Sequence, residues 1–154
     1  MDKLGKQLLE ISEKIHAHSA INERISKASV GWHIEHTLLS INRIIMSLQK
    51  SDPSEYRWEF KLNRLIIFSL KTIPRGKAKS PRAVLPENFS HESLKAHLQK
   101  TQQNVRLMEE IAANKFFVHP YFGSLNLKNA KKFIEIHTNH HLKIIHDIIQ
   151  SKKL

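Results

Sequence analysis

Four of the chain's eleven histidines, His137, His140, His141 and His146, fall within the ten residues of "HTNHHLKIIH". Around them Ala130, Ile134, His137, His141, Ile144 and Ile148 recur at alternating intervals of four and three, the spacing of a helical seam that faces a core. His137 and His141 stand one turn apart on that seam, with Cβ atoms about 5–6 Å apart, so both imidazoles can converge on one ion. The alternative is a pair of neutral core histidines, each satisfied by a hydrogen bond. Two adjacent imidazoles in an isoleucine seam leave several polar atoms in a dry interior, however, and a shared metal satisfies them together. His140 flanks the pair, and His146 lies off the seam.

A third ligand must come from another helix, and "VGWHIEHTLLSI" offers His33 and His36. With about 100° per residue, the apolar stripe of Val30, Ile34, Leu38, Ile41, Ile45 and Leu48 puts His33 at its edge and His36 on the opposite flank. Periodicity therefore points to His33, and His36 turns inward only if the helix is packed on two sides.

The chain has no cysteine, which excludes disulfides, thiolate metal sites and a cysteine nucleophile. Any transition metal must use imidazole, carboxylate and water. Three neutral imidazoles with an open position make a catalytic arrangement: a divalent ion there lowers the pKa of water from about 15.7 to about 7, or binds and deprotonates a thiol. Zinc and nickel both accept such a donor set. Proton-transfer candidates near the histidines are His140, Glu35 and His119, each of which has an ordinary structural reading as well. Arg75 can present a cation to an anionic substrate.

The elements that must position these residues are helical. With 40% apolar and 25% charged residues, only four glycines and five prolines, the composition is globular and favours helices in one domain spanning residues 1–154. Leu4, Leu8, Ile11 and Ile15 mark a first helix from Asp2 to about Asn22, and Ser26 or Ser29 caps a second through about Gln49. A third is expected from Ser54 to Lys71, buried at its apolar "LIIFSL" end. Three prolines and Gly76 make Thr72–Ser90 a long loop. Ser90 caps a fourth helix, His91 to Ala113, and Asn126 a fifth, Leu127 to about Ser151. The fold class expected is all-α, an antiparallel helical bundle with one long crossover.

Three stretches carry a resemblance: "HPYFGSLNLKNAKKFIEIHTNHHLKII", "IPRGKAKSPRAVLP" and "SVGWHIEHTLLSIN". They are similar to a branch of the DinB/YfiT-like superfamily of metalloenzymes, a resemblance that extends over most of the chain. The resemblance implies a four-helix bundle of DinB/YfiT type with a long crossover loop and an extra short or flanking helix. It also implies one metal on three histidines, matched here by His36, His137 and His141, and either hydrolysis or transfer of a low-molecular-weight thiol. In the family a tryptophan stands eight residues before the first ligand; here that position is Ala28, and Trp32 follows four residues later. The choice between His36 and His33 stays open on that account, as does the choice between an enzyme and a non-catalytic bundle.

The formal net charge of +11 raises a nucleic-acid reading, but the basic residues are dispersed and no arginine-rich tract is interleaved with aromatics. The expected partner is a small molecule, with neither specific nucleic acid nor membrane, and with a second copy of the chain as a homodimer. No apolar run approaches the roughly 18 residues of a membrane span, so a cytoplasmic protein is expected.

Overall fold

The computed structural model describes residues 2–76 and 80–151. Helix α1 runs Lys3–Lys14, and Asp2 caps it by accepting the Gly5 N–H at 2.7 Å. Its inward stripe of Leu4, Leu8 and Ile11, extended by Ile15, is buried as the periodicity requires. The chain leaves the helix earlier than expected because the loop that follows is tied to the next element. The His18 carbonyl accepts the Gly31 N–H and the Ala20 carbonyl accepts that of Val30.

Helix α2 spans Val30–Lys50, with the Ser29 hydroxyl capping it through the Trp32 N–H. Its apolar stripe is fully buried, and so are His33, His36, Thr37, Ser40 and Ile44 on other flanks. The helix is thus packed on more than one side, which is the condition under which His36 faces inward.

The expected third helix is shorter than the sequence pattern suggests. Only Leu62–Leu70 forms α3, preceded by a 3-10 turn at Pro53–Glu55 and extended chain through Lys61. The intervening residues are held by tertiary contacts instead: Tyr56 packs edge-on against Phe116 of a later hairpin, and the Glu59 carbonyl takes a hydrogen bond from Arg64 of α3. The "LIIFSL" end buries only Ile67 and Phe68, while Leu65, Ile66 and Leu70 remain exposed. The expectation of a well-buried end is corrected on this point: α3 lies against α5 on the outside and has a single covered face.

The Thr72–Ser90 stretch is a loop, as expected, with one 3-10 turn at Arg82–Val84; residues 77–79 lie outside those described. Helix α4, His91–Leu107, starts with a reciprocal Ser90–Ser93 capping box and gives way to a 3-10 turn at Met108–Glu110, short of Ala113. The connection to the last helix is a hairpin, which corrects the all-α expectation. Strands β1 (Phe116–His119) and β2 (Gly123–Asn126) pair antiparallel, with Phe117 opposite Leu125 and His119 opposite Gly123. "FFVH" suits a strand through its aromatic and β-branched residues, and Gly123 takes φ +69°, a left-handed conformation glycine adopts without penalty.

Helix α5, Leu127–Gln150, is capped by Asn126 through the Asn129 N–H. α1 packs against both α4 and α5, and so does α2, so these four longest helices enclose one continuous core. Among the described residues, no helix is long and apolar enough to cross a membrane.

Candidate metal centre

The contact between α2 and α5 carries the histidines. His36 on α2 meets His137 and His141 on α5, and one ring nitrogen from each lies within 4.8 Å of the other two. His141 Nε2 is 3.3 Å from His137 Nε2. No carboxylate among the described residues joins this group, so the candidate donor set is three imidazoles, with His36 in the position the resemblance implied.

For His36 and His141, contacts at Nδ1 bear on which nitrogen is free. His36 Nδ1 is 2.7 Å from the Val84 carbonyl, which can only accept, so Nδ1 carries the proton and Nε2 presents its lone pair. Trp32 stacks on the same ring at 5.0 Å with an interplanar angle of 11°, holding its plane. His141 Nδ1 lies 3.0 Å from His33 Nδ1, and His33 Nε2 lies 2.9 Å from the Ser26 hydroxyl. When His141 donates to His33 and His33 donates to Ser26, Nε2 of His141 is left as a ligand. Metal-binding histidines are commonly oriented in this way through their second nitrogen.

His33, favoured by helical phase, is therefore buried beside the cluster, but it grips a ligand and is not itself in the three-imidazole group. Periodicity found a residue of the site and gave it the wrong position. Trp32, one turn before His36, is the tryptophan that meets its ring.

Burial sets the electrostatics. It lowers the pKa of His36 against the opposing pull of the Val84 carbonyl, and it holds His137 and His141 well below the usual imidazole value. His33 is pushed down to about 4, by burial first and the neighbouring His36 second. All four rings are thus neutral at pH 7, and a cation arriving there displaces no proton from its ligands.

The proposed proton-transfer residues part company. His140 lines the space next to the cluster, its ring 5.0 Å from His141, with a pKa lowered by burial and by the Arg75 charge. His119 also lines it, stacked on Phe122 at 4.3 Å and edge-on to Phe133 at 4.6 Å. His119 Nδ1 accepts the Tyr121 N–H at 3.1 Å, so its proton sits on Nε2, and burial pushes its pKa down to about 4. Glu35 is elsewhere: both carboxylate oxygens lie 2.9 Å from Nδ1 of His97 on α4. One residue before His36, it is turned by about 100° around the helix, away from the ligands, and its candidacy as a site base is corrected.

The imidazoles open onto a cavity of about 830 Å³ bounded by α2, α5, the hairpin and the Thr72–Ser90 loop. Arg75 stands at its wall and is paired with Asp147 at 2.8 Å. Several contributors escaped sequence reasoning. Val84 acts through its backbone, which no side-chain pattern marks, and Ser26 is brought in by loop closure. Arg43, also on the wall, follows His36 by seven residues, a spacing that helical geometry could have flagged. Comparison of the chain with protein-family models, curated proteins and solved structures yields no match.

Proposed function

We propose that the chain is a metal-dependent enzyme of the DinB/YfiT-like kind, with one divalent ion, zinc or nickel, held by His36, His137 and His141. It acts on a small molecule by hydrolysis or by transfer of a thiol. The observation that carries this reading is the convergence of three neutral imidazoles on one point in the wall of a cavity large enough for a small-molecule substrate. The ring of four long helices and the long loop between α3 and α4 support the family-type bundle that the resemblance implies.

An ion held by His36, His137 and His141 would supply Lewis-acid chemistry. The chain's own groups supply the rest. Val84 and Trp32 fix His36; His33 and Ser26 fix His141; His119, protonated on Nε2, is suited to donate a hydrogen bond to bound substrate. His140, beside a ligand and open to the cavity, is the residue best placed to exchange a proton with it. The hairpin aromatics and the loop shield the site from bulk water.

The test is a turnover screen of zinc- and nickel-loaded protein against activated esters, amides and thiol-plus-electrophile pairs. Activity that disappears on chelation, returns on metal addition and is missing from His36→Ala is the expected result. Turnover indifferent to chelation, or none across the panel with the metal demonstrably bound, would contradict the proposal.

A further inference from the structure

The cavity does not end at the imidazoles. The α2 side chains that line it run from Trp32 and His33 through His36, Ser40, Arg43 and Ile44 to Ser47, turn after turn of the helix. At about 1.5 Å of rise per residue, Arg43 lies about 10 Å beyond His36 along the axis and Ser47 about 16 Å beyond it. On the Arg43 side of the imidazoles the site is therefore a channel, longer than a compact polar metabolite needs.

Its lining has a marked chemical bias. Phe117, Val118 and Phe122 of the hairpin region, with Phe133 and Ile144 of α5, make much of the wall apolar. Among the described lining residues there is no Asp or Glu, whereas Lys27, Arg43 and Arg75 are present. Arg75 is already engaged by Asp147, and Arg43 makes no ion pair among the described residues. With neutral imidazoles and a divalent cation the cluster end is itself positive, so the whole channel favours anions.

Building on the metal-site reading, we propose that the channel takes an elongated, largely apolar anion. Its reacting group lies at the three imidazoles and its carboxylate, or a similar singly charged group, lies against Arg43 about 10 Å along α2. Arg43 is then a specificity-determining residue. It selects for charge at a set distance, while the aromatic wall rewards the chain between the two ends.

Cobalt-loaded protein tests this directly, because a thiolate ligand gives a cobalt charge-transfer band whose titration reports binding without any turnover. The probes are mercaptooctanoate, its neutral counterpart mercaptooctanol, and the short mercaptopropionate. Mercaptooctanoate is expected to bind about fivefold more tightly than mercaptooctanol, the upper end of what an exposed ion pair contributes. It should exceed mercaptopropionate by more than about tenfold, from the apolar chain it buries. Arg43→Gln, with cobalt content unchanged, should bring mercaptooctanoate down to the affinity of mercaptooctanol and leave the latter unmoved. Equal binding of the charged and neutral probes, or a preference that survives Arg43→Gln, overturns this inference and leaves the metal site standing. Failure to load cobalt overturns both.

Discussion

At the scale of single residues, the three candidate ligands are held in a hierarchy of contacts, and the least obvious member is His33. It touches His141 and Ser26, so its removal should loosen a ligand without deleting one. His33→Ala is expected to keep the metal stoichiometry at saturation while weakening affinity by about 10- to 100-fold, with partial rescue by His33→Gln; competition with a chromogenic chelator measures it. The depressed pKa values make a second prediction. His33 and His119 titrate near pH 4 in the folded chain against 6.5 for an unperturbed imidazole, so the unfolded chain binds more protons between those values. The stability they allow is fully present above pH 6.5 and falls as pH drops from 6.5 toward 4. Urea unfolding of metal-free protein across that window should show the decline, and His119→Phe should make it shallower. The types of these residues were legible in the sequence. Their roles were less so, because helical phase alone cannot say that α2 is covered on more than one flank.

At the scale of elements, the site depends on how α2 is fixed. Gly31, in its first turn, sits so close to the preceding loop that a Cβ there would lie 2.4 Å from the Phe89 ring and 2.9 Å from the His18 carbonyl. Gly31→Ala should therefore cost about 1–3 kcal/mol, read as a lowered urea midpoint, since the obstruction includes backbone as well as a side chain. On the flank away from the imidazoles, Glu35 and His97 tie α2 to α4, and Asn42 continues the network by hydrogen bonds to Thr101 and from Asn104. Glu35→Ala should destabilise the fold by about 1–3 kcal/mol, measured by urea unfolding, without changing metal content, because it orphans half-buried partners and touches no ligand. The helices with strong periodicity and side-chain caps, α1, α2, α4 and α5, could be read from the sequence to within a few residues at most of their ends. The hairpin and the shortened α3 could not. "FFVH" pairs with "GSLN" over only four residues a side, too short to show a period, and "YRWEFK" leaves Trp58 and Phe60 exposed and meets the hairpin through Tyr56, a contact with no local signature.

At the scale of the whole molecule, α1, α2, α4 and α5 share one core, and the two ligand-bearing helices are neighbours in it. A metal bound there links α2 to α5 across the core and binds the folded chain alone, so it should raise the melting temperature in proportion to the logarithm of free metal above Kd. The histidine pattern and the family-like motifs anticipated the mostly helical architecture and named the three histidines that the fold brings together. What they could not supply was the loop carbonyl of Val84 and the channel beyond the histidine cluster, which exist only once distant segments are assembled. Everything proposed for the site depends on His36, His137 and His141 holding one ion. Elemental analysis of protein purified without a histidine tag, beside His36→Ala, His33→Ala and His141→Ala, tests it most directly. About one zinc or nickel per chain, retained in His33→Ala and lost in His36→Ala and His141→Ala, is the result this account predicts. No metal above background after reconstitution, or equal metal in all four proteins, would contradict it.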